Sequence, residues 1–413
     1  MLRKGERMKA KQTKTRALSG QSLLLLAVNG LFIIANALSG TFVNIYLWIA
    51  KNDFALIAWF AIANQLTMGT TFWLAGKWVK EHNKMNALRL GVAFSAVFYL
   101  LILVLGVNSV HYALGLGMVQ GLASGLFWLA FNIVYFEVTE RDTRDTFNSW
   151  TGILGSGSGM IAPWLSGYWI THMKDADGYR LIFTISLVIF LIGVVLSFFL
   201  KKRKVQQQYE WLFGVKLLLQ KDHPWRKIAI SLMAQGVREG VFGFLIGLLV
   251  YIYTKNEMKL GNFSLISSAV GFVGFFIVGK WLKQRWRKSS MLLGVAMMIV
   301  VILPFFWRLN YTTLLLFGMG TAFFIPFFII PITSVVFDLI GENEQSAEKR
   351  VEYIVLRELS LTAGRLLGTL IFIGIVTWSK QPLVINFLLL GIGSAPLVSW
   401  YFLRPWLGKS VPQ

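Results

Sequence analysis

Twelve long apolar segments run through this chain of 413 residues, and they restrict its fold more than any single motif does. A helix needs about 20 apolar residues to cross the hydrocarbon core of a bilayer. Barrel strands would instead alternate polar and apolar residues over about ten residues, and these segments do not. The sequence therefore predicts an all-α membrane protein with 12 transmembrane helices, at residues 22–49, 54–75, 87–106, 111–136, 147–170, 180–200, 228–253, 262–279, 289–307, 312–340, 352–378 and 382–403.

The composition supports this class and excludes several kinds of site. Hydrophobic residues make up 56% of the chain and charged residues 14%, whereas soluble domains carry about 25% charged residues. The first segment is too long for a secretory signal, and no small-residue cleavage pattern follows it. The chain has no cysteine, which excludes disulfides, thiol catalysis and thiolate metal sites. Its four histidines lie far apart, so neither a metal nor another cofactor is expected.

The net charge of +21 is unevenly distributed over the predicted topology. With the N-terminus placed inside, 30 of the 40 Lys and Arg residues are cytoplasmic, seven are outside and three lie within spans. Because positively charged loops stay in the cytoplasm, both termini are predicted to be cytoplasmic. The basic surface thus indicates a multi-pass protein of the cell membrane whose partners are membrane lipids, with no nucleic acid.

An internal repeat divides the chain into two halves. The tripeptide Gly-Lys-Trp at 76–78 recurs at 279–281, a shift of 203 residues. Similarly, Lys-Asn-Asp at 51–53 recurs as Lys-Asn-Glu at 255–257, a shift of 204. A constant lag indicates two parallel six-helix bundles around a central cavity. The predicted organisation is a basic cytoplasmic tail (1–20), an N-terminal bundle (21–200), a cytoplasmic central loop (201–227), a C-terminal bundle (228–404) and a cytoplasmic tail (405–413).

The predicted chain has two parallel six-span halves, a long basic central loop, and Gly-Lys loops after the second and eighth spans. In these features it resembles the major facilitator superfamily. These loops begin with Gly76 and Lys77 in the first half and with Gly279 and Lys280 in the second, and the resemblance implies that they gate the transporter. The family's loop signature has an acid followed by Arg where this chain has Gly76 and Lys77. The charge relay that latches the family's outward-open state therefore lacks its acid.

Two further segments resemble motifs of the same family. The fourth span matches the antiporter motif Arg-x-x-Gln-Gly at Gln120 and Gly121, but Gly117 stands in place of Arg. The fifth span resembles the exporter motif Gly-x-x-x-Gly-Pro-x-x-Gly-Gly. Small residues there favour close helix packing in an exporter, although any polytopic protein can use such packing; the candidate packing residues are Ser158, Ala162, Pro163 and Gly167.

Away from the span ends, five charges lie within the predicted spans of the second half: Arg238, Glu239, Arg357, Glu358 and Arg365. Each charge costs roughly 2.5–3.5 kcal/mol at mid-bilayer, so it is expected to be ion-paired, hydrated or part of a functional site. Glu358 and Arg365 are seven residues apart and share one helix face. One interpretation is that Arg238, Glu239, Arg357 and Glu358 couple transport to protons by exchanging ion-pair partners. The alternative is a static ion-pair network between the seventh and eleventh spans.

The resemblance implies that the first, second, fourth and fifth spans of each half line the cavity. Gly236 and Gly240 belong to a glycine stripe on the seventh span that suits close helix contact. Glu137 and Asp338 are predicted to form gating ion pairs with basic loops or to be solvated. The candidate substrate-binding residues are Arg365, which suits an anionic group, and Asn44, Gln120, Trp128, Asn132 and Phe324.

The sequence predicts a monomeric secondary transporter that moves a small-molecule substrate by alternating access. It is expected to use a proton gradient rather than a cofactor, and nothing in the sequence resembles an enzyme's catalytic motif. The fifth-span motif and the aromatic tenth span favour export of an amphipathic compound. The alternatives are a proton-coupled uptake symporter for an organic anion, a flippase for a lipid or lipid-linked precursor, and a non-transporting receptor or scaffold.

Overall fold

The computed structural model describes residues 18–139, 143–174, 176–201, 208–340, 348–379 and 381–408. The predicted tails beyond these limits and the start of the central loop, at 202–207, lie outside the described residues. Fourteen α-helices occur in the described part of the chain: α1 Gly20–Lys51, α2 Phe54–Trp78, α3 Lys84–Leu105, α4 Ala113–Val138, α5 Arg144–His172, α6 Asp177–Ser197, α7 Phe213–Leu219, α8 Pro224–Thr254, α9 Glu257–Trp281, α10 Arg287–Val300, α11 Tyr311–Ile340, α12 Arg350–Trp378, α13 Pro382–Ser394 and α14 Pro396–Leu403.

The twelve predicted spans correspond to α1–α6, α8–α12 and the pair α13–α14. By length and composition alone, ten continuous helical stretches of the described residues can cross a membrane. One of them, Phe54–Val110, holds both α2 and α3, which are separated by a π-helical turn and by extended backbone at Asn83 (φ −142°, ψ 93°). The polar fifth span, α5, is not among the ten. The last span is divided at Pro396.

The internal repeat is visible in the turns that join the helices. Asn52 caps the C-terminus of α1 and Lys255 caps that of α8, and both residues adopt the left-handed conformation (φ 53° and 49°). The following residues, Asp53 and Asn256, cap α2 and α9 through their side chains, each with a 2.9 Å hydrogen bond. The structural lag between these turns is therefore 203 residues, one less than the 204 given by matching the letters.

The two halves meet along two helix pairs. Helix α2 packs against α12, and α5 packs against α9. Close approach at the second pair depends on small residues, since a Cβ on Gly167 would lie 2.5 Å from the Glu257 carbonyl oxygen. Pro163 packs on the same helix, at Gly261, while Ser158 and Ala162 line an apolar groove between α1 and α5. The halves are thus held together on both sides of a central space.

The two ends of the bundle differ in what they carry. We call one end of the bundle the terminal face. It carries the start of α1, the α2–α3 turn, residues 208–223, and the starts of α8 and α12. The opposite face carries the α1–α2 and α8–α9 turns. There Tyr179 donates a 2.9 Å hydrogen bond to Glu257, which joins the halves. The Lys and Arg distribution predicts that the terminal face is cytoplasmic.

Candidate functional site

A cavity of about 370 Å³ lies between the halves, enclosed by α1, α2 and α4 on one side and by α8 and α12 on the other. The N-terminal wall contributes four neutral amides, and the C-terminal wall contributes one carboxylate and one guanidinium. These polar groups are Asn44, Asn64, Gln65, Gln120, Glu239 and Arg365. A cavity with convergent polar groups at a bundle interface is the expected place for a small ligand.

Arg365 is the centre of the charged wall, because its guanidinium forms ion pairs with two carboxylates. Its Nε and Nη2 donate hydrogen bonds of 3.2 and 3.0 Å to the same oxygen of Glu239 on α8. Its Nη1 donates a 2.6 Å hydrogen bond to Glu358, two turns earlier on α12. The predicted stripe of Glu358 and Arg365 on one helix face is therefore a direct ion pair, extended across helices by Glu239.

Close packing of α8 against α12 allows these groups to meet. A Cβ on Gly364 would lie 1.9 Å from the Met233 carbonyl oxygen, and one on Gly236 would lie 2.2 Å from that of Leu361. Gly240 lies against the backbone of Arg365 itself. The glycine stripe thus brings the two backbones into contact at the level of the charges, as small residues do in membrane bundles.

The second carboxylate oxygen of Glu239 also accepts a hydrogen bond. Gln235, one turn earlier on α8, donates a 2.7 Å hydrogen bond to it. The Glu239 side chain is 34% exposed, whereas that of Glu358 is 7% exposed. Of the two carboxylates on Arg365, Glu239 is therefore the one that faces the cavity.

The two other arginines predicted within the spans, Arg238 and Arg357, have different surroundings. Arg357 lies 4.0 Å from Glu358, at the edge of the cluster. Arg238 points away from the cluster, as its position beside the glycine stripe implies, and it forms no ion pair with a carboxylate of the described residues. It lies over the ring of Phe242 at 4.8 Å and donates a 3.5 Å hydrogen bond to Thr321 on α11. Proton exchange by pairing Arg238 with Glu239 has no support in this arrangement.

On the N-terminal wall, Asn64 donates a 2.6 Å hydrogen bond to Gln120, which joins α2 and α4. The neighbouring Gln65 Oε1 is buried and has no hydrogen-bond partner in the described residues. The absence of the antiporter arginine has a steric cause. A Cβ on Gly117 would lie 2.5 Å from the Phe60 carbonyl oxygen, so no side chain fits at this position.

Three predicted substrate residues lie away from the cavity. Trp128 packs against Phe32, Phe127 and Phe131 in an aromatic cluster of the first half. Phe324 is partly buried where α11 meets α10 in the second half; its carbonyl oxygen faces Gly294, and its ring packs against Phe323 and Phe327. Asn132 lines a separate chamber of about 540 Å³ near the terminal face, between α4–α5 and α11–α12.

At the terminal face, the halves are joined by an ion pair that the sequence did not identify. Lys80 donates a 2.6 Å hydrogen bond to Glu352 at the start of α12, and both side chains are almost wholly buried, at 3% and 1% exposed. Lys77, the lysine of the predicted Gly76–Lys77 gate, lies three residues before Lys80 and forms no ion pair with the second half among the described residues. Lys77 lies over the Trp211 ring and 3.9 Å from Glu81, while Gly76 packs against Tyr209.

Glu352 also accepts a hydrogen bond from the segment that connects the two halves. We call residues 208–219 the strap, since they cross from α2 to α12. The backbone N–H of Tyr209 donates to Glu81 at 2.9 Å, and that of Glu210 donates to Glu352 at 3.2 Å. Lys349 forms an ion pair with Glu210 and holds the pKa of that carboxyl below its usual range. Burial raises the pKa of the Tyr209 hydroxyl.

The predicted gate acids have equivalent partners in the two halves. Glu137 pairs with Lys84 at the start of α3, and Asp338 pairs with Arg287 at the start of α10, at 3.1 Å. Each pair lies within one half, so it fixes the position of a turn rather than joining the halves. In the second loop, Gly279 has open space around it, and Lys280 lies over Phe276 at 5.7 Å.

Comparisons with known proteins agree with this architecture. The chain is 38% identical over 386 residues to the uncharacterized protein YqgE of Bacillus subtilis (strain 168), a match that covers 92% of this chain and 89% of the relative. It has the fold of a bacterial homologue of the iron transporter ferroportin, solved in an outward-facing state with soaked iron, with a TM-score of 0.66, 15% identity and coverage of 94% and 99% of the two chains.

A D-xylose-proton symporter is equally similar in fold, with a TM-score of 0.69, 13% identity and coverage of 92% of this chain and 97% of that chain. At these identities the likeness shows the fold alone. The family model described as Major Facilitator Superfamily matches residues 25–348. With two six-helix bundles around a central polar cavity, the chain belongs to the major facilitator superfamily of membrane transporters.

Proposed function

We propose that this chain is a proton-coupled secondary transporter that moves a small polar solute by alternating access, with Glu239 as its proton-binding residue. One observation carries the proposal: a single guanidinium, that of Arg365, serves two carboxylates, and one of them faces the cavity. Such an arrangement can change its charge when the helices move, and it lies where a solute would bind.

The mechanism follows from sharing one cation between two acids. A carboxylate that loses its cation in a site of low dielectric constant binds a proton more readily. When Arg365 moves toward Glu358, Glu239 loses its partner and takes up a proton. When Arg365 returns, it favours the ionised form of Glu239 and releases the proton. Because Glu239 and the solute share the same cavity, occupancy of one affects the other.

The cavity wall supports a polar substrate. The amides of Asn44 and Gln120 face the cavity from the N-terminal half, and amides bind hydroxyl, amide or carboxylate groups without adding charge. The aromatic part of the argument for an amphipathic substrate loses its support, because Phe324 packs inside the second half. We propose export as the direction, on the fifth-span motif.

Uptake of an organic anion is the second candidate, and Arg357 favours it. Its guanidinium lies 4.0 Å from Glu358, it is 24% exposed, and it makes no closer ion pair with the described residues. An anionic substrate group would pair with it better than Glu358 does, since a bidentate carboxylate contact is shorter.

Purified protein in proteoliposomes tests the proposal. A pH-sensitive dye inside the vesicles reports proton movement when candidate solutes are added on one side. We expect solute-dependent proton flux in the wild type and its loss in Glu239→Gln, which keeps the size of the side chain but cannot ionise. Asp53→Asn is the matched control, because it also removes one carboxylate while Asn remains a good helix cap.

Full coupled transport in Glu239→Gln would refute the proton role and leave the ion-pair network as a structural element. The direction of solute flux under an inward proton gradient separates the two candidates: outward movement supports export, and inward movement of an anion supports uptake.

A further inference from the structure

An apolar pocket of about 220 Å³ lies beneath the strap, where α2 meets α12 near the terminal face. Its walls come from both halves and from the strap itself, and carbon atoms make up nearly all of its surface. The residues that define it are Trp73 on α2, Val215 and Leu218 on α7, Met233 on α8, and Leu359 and Ala363 on α12. The central cavity and the predicted gates share none of these six residues.

The pocket continues onto surfaces that face the bilayer. On α12, the exposed residues Leu367 and Leu370 follow Ala363 along one face, at 47% and 50% exposed. On α2, Leu66 and Trp73 are exposed on the neighbouring face, at 52% and 37%. Because apolar faces on membrane-spanning helices contact lipid, the medium outside the pocket is hydrocarbon.

The rim of the pocket at the terminal face is basic. Lys216 on α7 and Arg226 at the start of α8 are exposed, and Arg226 lies three residues before Ala229, which lines the pocket. The nearby acids of the strap region are engaged: Glu210 pairs with Lys349, and Glu81 accepts the hydrogen bond from Tyr209. Basic residues at the membrane surface attract anionic headgroups, each by about 1 kcal/mol.

Helix α7 is shaped to lie on the same surface. Leu212, Val215 and Leu219 are 57%, 53% and 77% exposed and lie three and four residues apart, so they form one apolar stripe. A short helix with an exposed apolar stripe and flanking lysines lies in the interface with that stripe in the lipid. The roof of the pocket is thus itself at headgroup level.

We propose that this pocket binds one acyl chain of an anionic phospholipid from the leaflet at the terminal face, with the headgroup at Lys216 and the start of α8. The chain occupies the space between Trp73 of the first half and Met233 and Ala363 of the second. Lipid binding itself does not depend on the proposed transport function. The effect of the lipid on transport does depend on it: because the walls come from both halves, the lipid stabilises the arrangement in which α2 and α12 touch beneath the strap.

Native mass spectrometry of the detergent-purified protein tests the proposal, with palmitoyl-oleoyl phosphatidylglycerol and phosphatidylcholine as the two probes. We expect tight binding of phosphatidylglycerol to the wild type and at least tenfold weaker binding to Ala363→Trp, which fills the pocket. Leu367→Trp, one turn away on the same exposed face, is the matched control and keeps wild-type binding. Lys216→Glu, an exposed change that leaves the pocket intact, removes the preference for phosphatidylglycerol.

Equal phosphatidylglycerol binding by Ala363→Trp and Leu367→Trp would overturn the proposal, as would equal binding of the two lipids by the wild type. If Ala363→Trp does not fold, thermal unfolding of Lys216→Glu and the wild type with added lipid decides the question, because a bound lipid raises the midpoint temperature of the form that binds it. No solute or proton gradient is present, so the outcome is independent of the proposed transport.

Discussion

Lys80 and Glu352 are 272 residues apart in the chain and 2.6 Å apart in the structure, where they join the two halves at the terminal face. Both side chains are nearly inaccessible, so neither charge has water as an alternative partner. Breaking a buried pair by removing one partner typically costs about 3–5 kcal/mol. This buried ion pair therefore holds α2 of the first half against α12 of the second at the terminal face.

We predict that Glu352→Gln loosens the contact between α2 and α12 at the terminal face. The variant leaves the Lys80 ammonium buried without a carboxylate, so the free energy of the arrangement in which these helices touch rises by about 3–5 kcal/mol. The chain has no cysteine, so Val355→Cys, at a site that is 3% exposed beneath the strap, can be labelled alone with a maleimide once α2 and α12 separate. Labelling should be faster in the Glu352→Gln background.

The charge-swapped variant Lys80→Glu/Glu352→Lys is the control for this prediction. It restores the ion pair but loses the carboxylate that accepts from the Glu210 N–H, so it should label more slowly than Glu352→Gln. If Glu352→Gln and the parent label equally, the pair does not control access. Met258→Cys on the opposite face should respond in the reverse sense, as alternating access requires.

A second prediction concerns the shared guanidinium. Arg365→Gln leaves Glu239 and Glu358 without their common cation and should lower the thermal unfolding midpoint. Adding Glu239→Gln should recover part of the loss, because it removes one uncompensated carboxylate. A double-mutant cycle on the unfolding free energy measures this coupling, which should be about 1–3 kcal/mol. Additive effects would show that the two groups do not interact in solution.

The strap should loosen in acid. The pKa of Glu210 is lowered in the folded protein by its pair with Lys349, so the pair contributes stability above the ordinary carboxyl pKa of about 4.3. That contribution is lost as the pH falls from about 4.3 through the lower folded-state pKa. Since Glu210 is 44% exposed, the effect is small, at most about 1 kcal/mol.

Unfolding midpoints measured between about pH 7 and about pH 3 check this prediction. Glu210→Gln should be less stable than the wild type at neutral pH, and the difference should vanish at the acid end. A difference that stays constant with pH would mean that the Gln side chain, not the lost charge, causes the destabilisation.

The sequence predicted the helices, the two-half organisation and the shared helix face of Glu358 and Arg365, because these depend on hydropathy and on periodicity within one helix. It did not predict that Lys80, rather than Lys77, reaches the other half. The π-helical turn at Val79–Asn83 sets which lysine points at α12, and no pattern of residue types shows that turn. The position of Phe324 was missed for a similar reason: hydropathy does not separate a cavity wall from the interior of a bundle.

The last prediction concerns the packing that brings the charges together. Gly364→Ala adds a methyl group where 1.9 Å separates the new Cβ from the Met233 carbonyl oxygen, so α8 and α12 must move apart. Because overpacking costs about 1–3 kcal/mol, the unfolding midpoint should fall. Gly374→Ala on the same helix has open space around it and should leave the midpoint unchanged or slightly raised. Solute-dependent proton flux should fall in Gly364→Ala only, since separating the helices lengthens the contact between Arg365 and Glu239. Equal midpoints in the two variants would show that α8 and α12 do not touch at this level.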